Sequence, residues 1–202
     1  MNYMEVKYCN IYQDEKIKSL VINAFQSKFT SLVNLDEINY LSLINHFWEI
    51  PYDSHNAKQV VIKDNHNICA TMLIKKKSNK KEKGLRFDYI SLSKQYGHRN
   101  VIKLITGLLV LNHSVKKEEW YIDHIAVDKN YRGKGIGKVL INWAQDFIEQ
   151  GSKLTLFVST KNKNAIHLYT KEGFQIKNKK ISFWKWILFH EPCWYFMEWR
   201  KR

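Results

Sequence analysis

The stretch from Trp120 to Lys138 constrains this chain most. A strand-like run, Trp120 to Val127, enters a polar turn with glycine at Gly133, Gly135 and Gly137, and an amphipathic helix starts inside that turn. Val139, Leu140, Trp143, Phe147 and Ile148 mark the apolar stripe of the helix, and Gly151 is placed to stop it. Backbone N–H groups at a helix start have no intrahelical partner and sit at the positive end of the macrodipole, so such a turn binds phosphate. Glycine lets the phosphate approach the backbone. Lys134 and Lys138 add positive charge, while Arg132 either folds over the turn or reaches a phosphate.

Two common phosphate-binding designs do not fit. A dinucleotide turn expects Gly-x-Gly-x-x-Gly close behind the first strand, and here the third glycine of Gly135-x-Gly137 is replaced by Leu140, late in the chain. A nucleotide P-loop needs a Gly-Lys-Ser/Thr triplet, which does not follow.

The chain has 202 residues, 45% hydrophobic, enough for one sizeable core and short for two, so residues 1–202 read as a single domain. Leu104 to Leu111 is too short and too interrupted for a membrane span, and Met1 to Lys18 lacks an apolar signal core. A cytoplasmic protein without a membrane partner is the expectation. Cys9, Cys69 and Cys193 are odd in number and far apart, giving neither a disulfide framework nor a metal site. The formal net charge of +14 comes from 28 lysines and 5 arginines against 19 acidic residues. Arginine makes the bidentate contacts that read guanine and phosphate, so specific nucleic-acid recognition is not encoded, while a diffuse positive field attracts anionic ligands.

Glu5 to Tyr12 reads as a first strand, and Asp14 as the cap of a helix through Ile17, Leu20, Val21, Ala24 and Phe25. Ile38, Leu41, Ile44 and Trp48 give a second helix, ended by Pro51. Val60 to Ile62 and Ile68 to Ile74 flank a polar turn, a hairpin pattern, and Lys75 to Gly84 reads as an exposed loop. Ile102, Ile105, Leu108 and Leu109 mark a helix over Arg99 to Leu111. After Leu154 to Val158, a strand, comes a short helix from Asn164 to Lys171 stopped by Gly173, and the aromatic tail Phe183 to Trp199 reads as one or two strands. Its tryptophans, Trp184, Trp186, Trp194 and Trp199, read as core or interface residues, and the tail as a surface for a homodimer if the protein is not a monomer.

The residues Arg132-x-x-Gly135-x-Gly137, behind a strand ending Ile125-Ala126-Val127, resemble the acetyl-coenzyme A signature of the GNAT superfamily, Arg/Gln-x-x-Gly-x-Gly/Ala. Downstream, Asn162, Ala165, the pair Leu168-Tyr169 and the closing Gly173-Phe174 are similar to that family's later motif. The resemblance is detailed over Trp120 to Phe174. It implies an α/β (α+β) GNAT fold: a mixed central sheet of six or seven strands, helices on both faces, splayed at the strand containing Ile125 and Val127.

It also implies an N-acetyltransferase that takes acetyl-coenzyme A as co-substrate, needs no metal, and acts on a primary amine in a ternary complex. The pyrophosphate would lie on Arg132, Gly133, Lys134, Gly135, Ile136, Gly137 and Lys138, and the pantetheine arm along the backbone of Ile125, Ala126 and Val127. Asn162, with Ala165 beside it, would bond the arm or cap the helix, and Tyr169 would protonate the departing thiolate. The family's base often comes from the strand ahead of the turn, which points to Asp123 or Tyr121, with Asp123 preferred as base or amine anchor. Strand alternation puts Asp123 on one face with Tyr121, Ile125 and Val127, and His124 on the other with Ile122 and Ala126, where His124 reads as a core histidine. Members that acetylate protein N-termini carry a Glu twelve residues before the Tyr. Here that position is Phe157, which counts against protein N-termini; a small-molecule acceptor is the expectation, with a peptide or protein amine as its alternative. A non-catalytic acyl-coenzyme A sensor and a basic RNA- or ribosome-associated protein stand as the alternatives.

Overall fold

The computed structural model describes residues 5–9, 15–29, 32–48, 56–65, 67–77 and 87–201. Its frame is a sheet of seven strands in the order β1-β2-β3-β4-β5-β7-β6. The strands are β1 (Val6–Tyr8), β2 (Ala57–Asp64), β3 (Asn67–Lys76), β4 (Glu119–Val127), β5 (Lys153–Ser159), β6 (Gln175–Ile181) and β7 (Cys193–Arg200). All neighbours are antiparallel except β4 and β5, which makes the sheet mixed. The helices are α1 (Glu15–Phe29), α2 (Glu37–Trp48), α3 (Tyr89–Tyr96), α4 (His98–Leu111), α5 (Ile136–Phe147), α6 (Lys163–Lys171) and α7 (Phe183–Phe189).

Apolar burial organises these elements into layers. On one sheet face Ile136, Leu140, Ile141 and Ala144 of α5 pack on Met72, Ile122, Leu156 and Met197, with Leu168 and Tyr169 of α6 against them. On the other, Ile17, Leu20 and Val21 of α1 cover Val61, Leu73 and Ala126. A third cluster joins Tyr40, Leu43, Leu92, Leu104 and Phe189 from α2, α3, α4 and α7. The fully buried Leu140 alone contributes about 2 kcal/mol by burial. Cys69 is a buried thiol in β3.

Several elements differ from the sequence expectation. The tail is not all strand. Phe183 to Phe189 is a helix, because Ser182 accepts a hydrogen bond from the Lys185 backbone N–H and Leu188 and Phe189 fit the helical cluster. Trp184 and Trp186 on it are exposed, whereas Trp194 is buried. The α2 helix buries Tyr40, Leu43, Ile44 and Phe47 and leaves Ile38 81% exposed. In α4 the buried face is Val101, Leu104 and Gly107, with Ile102 and Leu109 outside. Lys75 and Lys76 belong to β3 rather than to a loop, and α3 occupies part of the segment that follows. The α5 helix ends at Ile148, before Gly151. Asp14, Pro51 and residues 78–84 lie outside the described residues.

Candidate active site

The three glycines of the turn have two different duties. Gly133 and Gly135 stand at φ of 76° and 79°, and a Cβ at either would meet nothing within 4 Å, so they give a left-handed backbone beside open space. Gly137 serves packing: a Cβ there would come 2.9 Å from Leu168 Cδ2, so its absence lets α5 approach α6. Gly135 is the residue before the first turn of α5, and the first bond of that helix runs from Val139 N–H to its carbonyl at 3.2 Å. The N–H groups of Ile136, Gly137 and Lys138 therefore have no acceptor among the described residues, and point outward at the positive helix end. Arg132 folds back, its Nε donating to Val127 O at 3.1 Å, and Tyr131 O–H donates to Asp64 at 2.9 Å, tying the turn to the β2–β3 hairpin. Lys134 lies over the Tyr131 ring, and Lys138 sits 3.5 Å from Glu172.

Beside the turn the sheet opens. The parallel pairing of β4 with β5 covers Glu119–Lys153, Trp120–Leu154 and Tyr121–Thr155, and beyond Tyr121 the strands have no registered pair. Backbone groups from Ile122 to Val127 on that side thus have no partner strand among the described residues. Helix α6 lies against α5, which follows β4. Asn162 caps α6, its Oδ1 accepting from the Ala165 N–H at 3.2 Å, which leaves the amide nitrogen unused among the described residues. The Tyr169 ring packs on the core and on Phe174, its hydroxyl makes no hydrogen bond among the described residues, and burial pushes its pKa up to about 12.

The β3–β4 ladder carries a β-bulge in this region. Leu73 faces His124 and Ile74 faces Ile122, so Asp123 is the extra residue. Alternation fails across it: Ile122, Ile125 and Val127 all pack on the α5 side, so Asp123 does not share a face with Ile125 and Val127, and Ile122 does not share one with His124. Asp123 is ion-paired to Lys75 Nζ at 2.7 Å and lies 3.4 Å from His124 Nδ1. Burial by itself raises its pKa, but the His124 hydrogen bond and the Lys75 charge outweigh this and hold the carboxyl well below the usual carboxylate range.

On the Asp123 side of the sheet an aromatic wall assembles. Tyr121, Phe157 and Phe196 lie in contact, His113 packs on all three with its ring centre 4.6 Å from that of Tyr121, and Lys185 of α7 sits over Phe157 and Trp194. Burial, helped by the nearby Asp123, Glu119 and Tyr169 charges, keeps the Tyr121 phenol protonated well above its ordinary range. Under His113 lies Glu119, 2% exposed. Lys75, His113 and Glu119 are site residues that sequence reasoning misses. The available signal is weak, a His six positions ahead of a Glu at a strand start and a Lys at a strand end.

Known proteins share the family pattern and the fold. The family model described as Acetyltransferase (GNAT) family matches residues 30–174. A streptothricin acetyltransferase from Streptomyces lavendulae is 39% identical over 72 residues, 35% of this chain and 38% of that protein. A probable N-acetyltransferase family 8 member 5 from Mus musculus is 33% identical over 92 residues, 44% of this chain and 40% of the relative. The chain thus spans well under half of the length of these curated relatives. Among solved structures, a histone acetyltransferase and related acetyltransferase from Corynebacterium glutamicum superposes with a TM-score of 0.66 at 14% identity, covering 98% of this chain and 97% of that one. A spermidine N-acetyltransferase chimera from Vibrio cholerae gives 0.56 at 14% identity, covering 96% and 93%. At those identities the likeness is one of fold. With the family model spanning most of the chain, and the glycine turn and split sheet inside the matched region, this chain belongs to the GNAT acetyltransferase family.

Proposed function

We propose that residues 1–202 act as a single domain that moves an acetyl group from acetyl-coenzyme A to a primary amine on a small molecule in the cytoplasm. One observation carries this reading: the N–H row at the start of α5, without acceptors among the described residues, follows directly on the strand whose pairing with β5 stops at Tyr121. Gly133 to Lys138, with Arg132 bracing the turn, would receive the pyrophosphate. Ile125, Ala126 and Val127 would bond the pantetheine arm as a neighbouring strand does, with Asn162 offering its free amide nitrogen and Ala165 packing beside it. The chain spans a fraction of its curated relatives, so their substrates serve as guides only.

Tyr169 would face the departing thiolate. A phenol at about 12 holds its proton more tightly than a thiol, near ~8.5, so its main contribution is a strong hydrogen bond to the developing negative charge. Asp123 is suited to anchoring rather than to proton removal, because a carboxylate held so low and paired with Lys75 is a poor base. A small acceptor accords with the aromatic wall of Tyr121, Phe157 and Phe196, with the streptothricin relative, and with Phe157 in place of a carboxylate.

The test offers purified protein acetyl-coenzyme A with panels of small amines, polyamines and peptides, and follows free thiol. Amine-dependent thiol release supports the reading. Tight binding of acetyl-coenzyme A without turnover of any amine would mark a sensor, and salt-dependent RNA retention without thiol release would mark an RNA-associated protein.

A further inference from the structure

We propose that His113 takes the proton from the attacking amine and that Glu119 is its positioning residue, an assignment that rests on the acetyl-transfer reading above. Helix α4 ends at Asn112, whose side chain reaches Lys75 at 3.3 Å, and the chain then delivers His113 onto the aromatic wall. Beneath it the Glu119 carboxylate accepts from Thr155 Oγ1 at 2.6 Å, from the Lys116 backbone N–H at 2.7 Å and from His113 Nε2 at 3.1 Å. Burial opposes its ionisation, but these bonds, that of His113 first, hold the carboxyl down at about 2. An ionised carboxylate only accepts, so Nε2 carries the hydrogen, and in the neutral imidazole the lone pair is on Nδ1.

Nδ1 has no hydrogen-bond partner among the described residues, and it is not sealed in the core. This is the arrangement of an activated base: one ring nitrogen held by a buried carboxylate, the other without a partner among the described residues, in a ring that packs on Tyr121 and Phe157 at the strand positions where the β4–β5 pairing stops. The competing carboxylate, Asp123, is neutralised by Lys75. The other charges around the imidazole are engaged. Lys75 lies over the Tyr121 ring at 5.6 Å and Lys185 over Phe157 at 5.1 Å, while Glu198, in register with Thr155, meets Arg200 at 2.8 Å and Lys153 at 3.7 Å. Glu119 is the charge in direct contact with the imidazole, at 3.1 Å.

In the step, the amine nitrogen forms a bond to the thioester carbonyl carbon, the carbon–sulfur bond breaks, and the nitrogen's proton passes to Nδ1. Thiolate leaves against the Tyr169 hydroxyl, which hydrogen-bonds the developing charge, and takes its proton from solvent. His113 returns its proton to solvent, so amine and acetyl thioester become amide and thiol.

The test uses His113→Phe, which keeps a ring against Tyr121 and Phe157, and Glu119→Gln, with thiol release measured across pH. His113→Phe should lose about 100-fold in kcat while binding acetyl-coenzyme A within about twofold of the parent. Glu119→Gln should lower kcat while leaving KM for acetyl-coenzyme A within about twofold, and imidazole should restore turnover to His113→Ala. A second readout needs no variant: nitrogen-15 spectra of the unmodified protein should show the Nε2–H tautomer, and an Nδ1–H tautomer overturns the proposal. If the parent turns over amines and His113→Phe matches it in kcat and pH profile, the base assignment falls alone. If the parent binds acetyl-coenzyme A and acetylates no amine, the transfer reading falls and takes this one with it.

Discussion

Replacing Lys75 by Met tests the charge arrangement behind the β4 bulge. The Lys75–Asp123 contact of 2.7 Å carries about 6 kcal/mol of gross attraction at an effective dielectric near 20, against a desolvation cost of several kcal/mol per ion. The net value of the pair is therefore small, yet each ion depends on the other. Lys75→Met leaves the Asp123 carboxylate, 26% exposed, with His124 as its remaining close partner. The expected loss is about 2 to 3 kcal/mol, below the usual figure for breaking a buried pair because Asp123 keeps some water. Lys75→Met with Asp123→Asn should return to within about 1 kcal/mol of the parent, a coupling that a double-mutant cycle isolates. Since the Asp123 pKa is held below its unfolded value, its stabilisation is present above about pH 4 and fades as pH falls through that value. Urea unfolding of the four proteins at pH 7 and at pH 3 to 4 reads both effects. Single variants that each cost under about 0.5 kcal/mol and simply add would show that water screens the pair and refute the argument.

Tyr169→Phe should lower kcat by about 100-fold with little change in acetyl-coenzyme A affinity, read by thiol release and calorimetry; unchanged turnover removes Tyr169 from the chemistry. Gly135→Val forces a β-branched residue to φ near 79° and fills the open turn, so acetyl-coenzyme A affinity should fall more than tenfold in calorimetry. The Glu119 carboxyl, depressed from 4.5 to about 2, contributes about 3 kcal/mol above pH 4.5 that is lost as pH falls toward 2. Glu119→Gln should accordingly flatten the acid limb of the unfolding midpoint; an equally steep limb places that dependence elsewhere.

The sequence is most legible where a backbone need restricts residue choice. Gly133 and Gly135 mark positive φ, Asn162 marks a helix cap, and Leu140 with Ile148 marks a buried stripe, although Val139 of the same pattern is 37% exposed and Ile141 takes its place in the core. It is least legible where apolar residues surround a helix and neighbours choose the face. Helical spacing picks Ile38 for the buried face, yet the cluster that α2 forms with α3, α4 and α7 takes Leu43 and leaves Ile38 outside. Aromatic residues favour strands on average, so Phe183 to Phe189 reads as one until the Ser182 cap is weighed. Edge strand β6 is exposed at every position and leaves no alternation to detect. At Asp123 a single extra residue, unmarked by glycine, reverses the parity of the strand. His113 belongs to no motif, since its significance comes from a carboxylate that the fold brings beneath it.

The interrupted pairing of β4 with β5 also divides the sheet into cooperative units. Three registered pairs join the four strands β1 to β4 to the three strands β5, β7 and β6, while β3 and β4 are bonded along most of their length. Amide exchange should follow that division, with the groups of Ile122 to Val127 that face β5 exchanging faster than those facing β3. An unsatisfied strand edge normally invites foreign strands and aggregation. Here the edge is internal to the sheet, with β5 next to β4 in the strand order, so a second protein would have to enter between two strands of one sheet to reach it. An extended arm laid into the opening would restore hydrogen bonding across the sheet, and occupancy would then be linked to the rigidity of the whole molecule.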